Sequence, residues 1–202
     1  NRYVIGKATQ GLAEYIREQG DSARRRGVVI AHDSRNNSRS FAQRAADVLL
    51  ANGINTYLFD SLRPTPMLSF AVRYLGAFAG IVITASHNPA EYNGYKVYFE
   101  DGGQLPPSVS DRIIHYIDRI DPFAVKDQAP AEPEDGISLH SIGKEVDDAY
   151  IAEVKKQAIE AIKKSPLGKV DLIVYSLASP RRTDPDTSEV YKLSLIHISE
   201  PT

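Results

Sequence analysis

Apolar residues recur along this chain with alternating helical and strand spacing. From Lys7 to Gln19, the residues Ala8, Leu12, Tyr15 and Ile16 fall at helical spacing and Gly20 follows as a stop, which predicts an amphipathic helix. Val28 to Ala31 is an unbroken apolar run of strand length, succeeded by the polar loop His32 to Ser38. A second helical pattern carries Phe41, Ala42, Ala45, Ala46, Val48 and Leu49, with Ser38 as its expected N-cap and Gly53 as its close. Ile54 to Phe59 reads as the next strand. The loop from Asp60 to Pro66 leads into a helix through Phe70, Val72 and Leu75, with Pro66 in its first turn. Ile81 to Ile83 is then a third buried strand.

Helix and strand alternate in this order, so the expected fold class is α/β, a largely parallel sheet covered by helices. Ligands of such sheets bind at the carboxyl ends of the strands, and the loops at 32–38, 60–66 and 84–94 all lie there. Tyr95 to Phe99 reads as a strand returning from that edge, which makes the edge of the sheet mixed; Asn93-Gly94 before it is read as a turn needing positive φ. Asp101-Gly102-Gly103 is a turn, and Asp111 to Ile120 a helix with Ile113, Ile114 and Ile117 on one face. A Pro-, Asp- and Glu-rich stretch opens a linker expected over 121–143. Val146 to Lys164 is a long helix, and Val170 to Tyr175 a strand opening a second α/β unit.

Composition narrows the function classes. A formal net charge of −2 with no long block of one sign gives no reason to expect nucleic acid or a membrane as partner. The one basic cluster, Arg24-Arg25-Arg26, reads as a solvated loop. No cysteine is present, which excludes disulfides and thiolate metal sites, and no apolar run is long enough to span a bilayer. With no signal peptide legible at Asn1-Arg2-Tyr3, a cytoplasmic location is expected, although upstream sequence is expected to be missing.

The third strand runs into Thr84-Ala85-Ser86-His87-Asn88-Pro89, and Lys96 opens the returning strand. Phosphoryl transfer through a serine needs an exposed hydroxyl, donors for phosphate oxygens and a proton relay within hydrogen-bond reach. Ser86 supplies the hydroxyl, Thr84 and Asn88 supply donors, His87 can relay a proton near neutrality, and Lys96 can neutralise phosphate charge. Each residue also has an ordinary reading. Serine, histidine, asparagine and proline are common in structural turns, Lys96 and His87 fit a solvated surface, and Asp33 with Arg35 fits a helix cap and ion pair. Convergence on one sheet edge favours the site.

The run Thr84 to Pro89, followed by Asn93-Gly94-Tyr95-Lys96, resembles the phosphoserine signature of the α-D-phosphohexomutase superfamily, which includes phosphoglucomutases and phosphomannomutases. Asp33-Ser34-Arg35 and Arg63-Pro64-Thr65-Pro66 resemble that family's first-domain loops, in its order. Glu91 to Tyr98 and Asp101 to Gln104 look most like the longer bacterial phosphoglucomutases and their phosphopentomutase relatives. The resemblance implies that Ser86 carries a phosphoryl group, donates it to a sugar phosphate and recovers one from the sugar bisphosphate, interconverting hexose 1-phosphate and 6-phosphate. It implies Ser86, His87 and Lys96 as catalytic, Thr84, Asn88 and Arg35 as substrate or phosphate contacts, and Mg²⁺ bound through the phosphate on Ser86. A phosphopentomutase is the alternative enzyme, and a non-catalytic phosphosugar-binding domain the alternative of another class.

The chain departs from the family pattern as well. The Gly- and Arg-containing loop before the first helix is missing, as are the aspartate-rich metal loop, the sugar-recognition loop and the distal phosphate loop; Thr183-Asp184-Pro185-Asp186 lacks the spacing of a metal loop. The expected organisation is a first family domain over 1–120, the linker over 121–143, the beginning of a second domain over 144–176, and a tail over 177–202 unlike the family. Residues 193–202 resemble the conceptual translation of a sequencing adapter. The remaining domains of the same protein are thus an implied partner, and the chain alone is expected to be inactive.

Overall fold

The computed structural model describes residues 1–128, 134–164, 181–183 and 190–192, and the chain divides into two compact units, Asn1–Lys156 and Gln157–Thr202. In the first unit the elements run α1 (Arg2–Glu18), α2 (Asp21–Arg26), β1 (Val28–His32), α3 (Ser38–Ala51), β2 (Thr56–Phe59), α4 (Thr65–Tyr74), β3 (Ala79–Ile83), β4 (Tyr95–Phe99), α5 (Pro107–Arg119) and β5 (Leu139–Ile142), followed by the larger part of α6 (Lys144–Lys164), whose last residues belong to the second. In the second unit β6 (Arg181–Thr183) and β7 (Val190–Lys192) form an antiparallel pair. The strand expected over 170–175, the Thr183–Asp186 loop and the 193–202 tail lie largely or wholly outside the described residues.

The five strands form one sheet in the order β4-β3-β1-β2-β5, parallel throughout except where β4 returns beside β3. Buried Ile30, Ile81 and Ile83 meet Leu12 and Ile16 of α1, Ala45 and Leu49 of α3 and Ile113 of α5 on one face. Val29, Ala31 and Val82 meet Leu68 and Val72 of α4 and Val146 of α6 on the other. β1 and β3 are buried at every position, which explains their unbroken apolar runs. The close fit of β3 to α4 depends on Gly80, where a Cβ would meet Val72 Cγ2 at 2.6 Å.

Several boundaries differ from expectation. α1 starts at Arg2 because the Asn1 side chain accepts from the backbone N–H groups of Tyr3 and Val4. Arg24-Arg25-Arg26 ends the short helix α2, and each arginine is engaged: Arg24 with Asp21, Glu134 and the Gly53 carbonyl, Arg25 with Asp21 and the Asp135 carbonyl, Arg26 with Glu100 and the Gly76 carbonyl. The stretch read as a linker contains β5, which pairs parallel with β2 at the sheet edge. Its Leu-His-Ser-Ile sequence has no apolar run to reveal it. The strand is instead held by its ladder and by His140 stacking on Tyr57, with ring centroids 4.8 Å apart. No helix among the described residues is long and apolar enough to cross a membrane.

Candidate active site

The chain leaves β1 through α3 toward β2, then returns through α4 to β3 on the other side of β1. Right-handed crossovers put these helices on opposite faces, so the loops after β1 and β3 diverge and leave a crevice between the strand ends. The Asp33 N–H donates to the Ile83 carbonyl across this junction at 3.2 Å. The loop after β3 therefore faces the loop after β1, and Ser86 stands at the mouth.

Ser86 and His87 are exposed, and Ser86 Oγ lies 2.9 Å from His87 Nδ1. With the ring proton on Nε2, Nδ1 accepts the serine proton; with Nδ1 protonated, the ring donates to Oγ. Ser86 has φ of 59°, the left-handed region that a residue with a Cβ seldom occupies. Its N–H donates to the Thr84 hydroxyl at 3.1 Å. Thr84 is 8% exposed and its hydroxyl donates onward to Asp33, so it shapes the loop instead of presenting a donor to a ligand.

Arg35, expected as a phosphate contact, is turned into the protein. Its Nη1 donates to the carbonyls of Asn88 at 2.5 Å and Pro89 at 2.6 Å, its Nη2 donates to the Ser86 carbonyl, and its Nε faces Asp33 Oδ2 at 2.9 Å. The side chain is 11% exposed, and little of its donor set remains for a ligand. Burial pushes the Asp33 carboxyl up, but the Thr84 hydroxyl, the Arg35 N–H, the Ser38 hydroxyl and the Arg35 charge outweigh it and hold it below its ordinary value.

Two further residues join the loops. Ser38 Oγ lies 2.8 Å from Asp33 Oδ1 and 2.7 Å from the Asn93 side-chain oxygen, sharing one proton between them. Asn93 Nδ2 donates to the Asn36 carbonyl at 2.6 Å. Ser38 is thus not the helix cap: Asn37 takes that position with φ of 63° and no side-chain cap bond, because the serine hydroxyl is engaged across the crevice. Both residues were legible only as turn and cap residues. The Asn93-Gly94 turn also differs from expectation, since neither residue has positive φ. Glycine is required at 94 because a Cβ there would stand 2.6 Å from the Thr84 carbonyl oxygen.

Lys96 pairs with Val82 in the β3–β4 ladder, at the same end of the sheet as Ser86. Among the described residues its side chain makes no hydrogen bond or ion pair, so the ammonium group is not held against Ser86 or His87. The Asn88 carbonyl is held by Arg35, while the residue remains exposed. A cavity of about 760 Å³ opens between the segments that follow β1 and β2, lined by His32, Asp33, Arg35, Arg39 and Ser61 among others. Arg63, which follows Ser61 and Leu62, donates to both Asp147 carboxylate oxygens at 2.7 Å and to Asp60 at 3.1 Å, while its backbone N–H donates to the His32 carbonyl at 3.0 Å. The Asp147 hydrogen bonds hold the Arg63 proton more firmly than usual, against the opposing effect of burial.

Magnesium takes hard oxygen ligands in near-octahedral array. Among the described residues no three His, Asp or Glu side chains are grouped to hold an ion, and the Asp33 carboxylate is occupied by Arg35, Ser38 and Thr84. These residues do not make a magnesium site by themselves.

The chain thus forms a largely parallel sheet between two helical layers, with the serine loop at its switch point. The family model described as "Phosphoglucomutase/phosphomannomutase, alpha/beta/alpha domain I" matches residues 1–123, and the chain belongs to that family. It is 43% identical over 157 residues to a phosphoglucomutase of Staphylococcus saprophyticus, covering 77% of this chain and 28% of that protein. It is 50% identical over 107 residues to a probable phosphoribomutase of Schizosaccharomyces pombe, covering 53% of this chain and 18% of that protein. A Thermus thermophilus structure provisionally called a phosphomannomutase aligns with 81% of this chain and 34% of its own at a TM-score of 0.63 and 27% identity. The chain therefore spans about a third or less of the relatives it matches. A second model, described as "Trans-2-enoyl-CoA reductase catalytic region", matches residues 127–202, a segment containing neither Ser86 nor the residues that hold its loop.

Proposed function

We propose that this chain supplies the phosphoserine-bearing domain of a sugar-phosphate mutase that interconverts hexose 1-phosphate and 6-phosphate. The observation that carries the reading is the exposed Ser86 hydroxyl, 2.9 Å from His87 Nδ1 on a loop pinned at the switch point of the sheet. In the forward step the bond from Ser86 Oγ to phosphorus breaks as a bond forms to a sugar hydroxyl oxygen. The sugar loses that proton and Ser86 regains one, for which His87 is in reach. The bisphosphate then turns over, and its other phosphoryl group returns to Ser86 by the reverse step. Lys96 offers a free cation at the same end of the sheet to balance phosphate charge. Any magnesium bound at a phosphorylated Ser86 would take its remaining ligands from outside the described residues.

The organisation that goes with this reading is a first domain over 1–120, a connection over 121–143 that includes β5, the start of a second domain over 144–176 and a tail over 177–202 outside the family. A phosphopentomutase is the second reading, favoured by the 50% identity to the probable phosphoribomutase. The test is the full-length protein assayed with glucose, mannose and ribose phosphates, a bisphosphate activator and Mg²⁺. Ser86→Ala is expected to lower turnover about 10³-fold or more and to remove the phosphate found by mass spectrometry. Unchanged turnover would overturn the phosphoserine role.

A further inference from the structure

Ser86 sits in a backbone conformation that serine seldom adopts, with φ of 59°, and such a residue persists only where its surroundings determine it. Here most of the determinants converge on one side chain. Arg35 receives the Ser86, Asn88 and Pro89 carbonyls on its two terminal nitrogens, gathering the loop around a single guanidinium. Asp33 faces its Nε at 2.9 Å and, through the Thr84 hydroxyl, reaches the N–H of Ser86 itself. Both routes from Asp33 lead to the serine backbone, and neither passes through the Ser86 hydroxyl.

We propose that Arg35, oriented by Asp33, is a positioning residue that aims Ser86 Oγ for phosphoryl transfer without touching the sugar phosphate. This rests on the mutase reading above and adds what keeps the nucleophile in line. A lysine cannot replace the arginine, since one ammonium on a flexible stem lacks the planar fork that meets three carbonyls and a carboxylate together.

The experiment compares full-length wild type with Arg35→Lys, Asp33→Asn and the double variant. Arg35→Lys is expected to lower kcat about 100-fold, the penalty for a misplaced reacting group, with KM for the sugar phosphate changed less than about threefold. Loading of Ser86 from the bisphosphate slows by the same factor. The double variant is expected to be no more than a few-fold worse than either single variant, because both remove one unit. Amide hydrogen exchange across 85–92 rises in all three. A raised KM at unchanged kcat would show a direct phosphate contact, and losses that multiply in the double would show independent roles; either overturns the proposal. If wild type carries no phosphate on Ser86, the mutase reading fails by itself, and the exchange measurement still decides the clamp: an unchanged loop in Arg35→Lys refutes it. Should Arg35→Lys fail to fold, Asn93→Ala loosens the same junction from the facing loop and is read the same way.

Discussion

Gly94→Ala tests whether the loop geometry is fixed by contact or by backbone freedom. The added Cβ would stand 2.6 Å from the Thr84 carbonyl oxygen, about 0.8 Å short of the 3.4 Å at which ordinary contact begins. The obstacle is backbone, so it cannot rotate away. Retreat of Thr84 strains its N–H bond to the Gly94 carbonyl, now 3.0 Å long. Overpacking costs about 1–3 kcal/mol and a weakened hydrogen bond about 1 kcal/mol. The lower chain entropy of alanine in the unfolded state offsets roughly 0.4–1 kcal/mol. The net expectation is destabilisation of about 1–3 kcal/mol, read as a fall of about 1 M in the urea midpoint. Gly76→Ala is the converse case, since its Cβ would meet nothing within 4 Å while its φ is 64°, unlike that of Gly94. That variant isolates the backbone term, about 1–2 kcal/mol, and leaves hydrogen exchange at 84–88 unchanged. A Gly94→Ala protein with the wild-type midpoint and wild-type exchange at 84–88 would refute the contact argument.

Two further outcomes follow from the ion pairs. Arg63→Met removes two 2.7 Å bonds to Asp147 and leaves that carboxylate, 25% exposed, without its main partner; a loss of about 2–3 kcal/mol is expected, and Arg63→Met/Asp147→Leu should recover much of it in urea unfolding. The folded Asp33 carboxyl titrates below its unfolded value, so its contribution is fully present above the unfolded pKa, about 3.9, and is lost as pH falls through the folded value. Asp33→Asn should therefore be less stable than wild type at pH 6, with the gap narrowing below about pH 4; a constant gap down to pH 2.5 would refute this.

The periodic part of the fold was legible because burial imposes it. β1 and β3 are buried on both faces and had to be continuous apolar runs, and the helices covering them had to be amphipathic. β5 escaped notice because an edge strand needs no such run, only a free ladder on β2. Within the site, the motif placed Ser86 beside His87, but residue types cannot reveal which way a side chain turns. Arg35 could serve a ligand or a loop equally well until its distances to three carbonyls were known. Ser38 satisfied every local rule for a helix cap. It was drawn off by Asp33 and by Asn93, a residue 55 positions along the chain that no local pattern connects to it.

That long reach bears on fluctuation. The hairpin of β3 and β4 is closed by neighbours in sequence, whereas the arginine that gathers its loop comes from the segment after β1. Any excursion that parts β1 from β3 therefore releases the serine loop as well, even with the hairpin intact. A partly opened molecule keeps Ser86 but loses the contacts that shape its loop, so the serine holds its left-handed backbone conformation only while the sheet is closed.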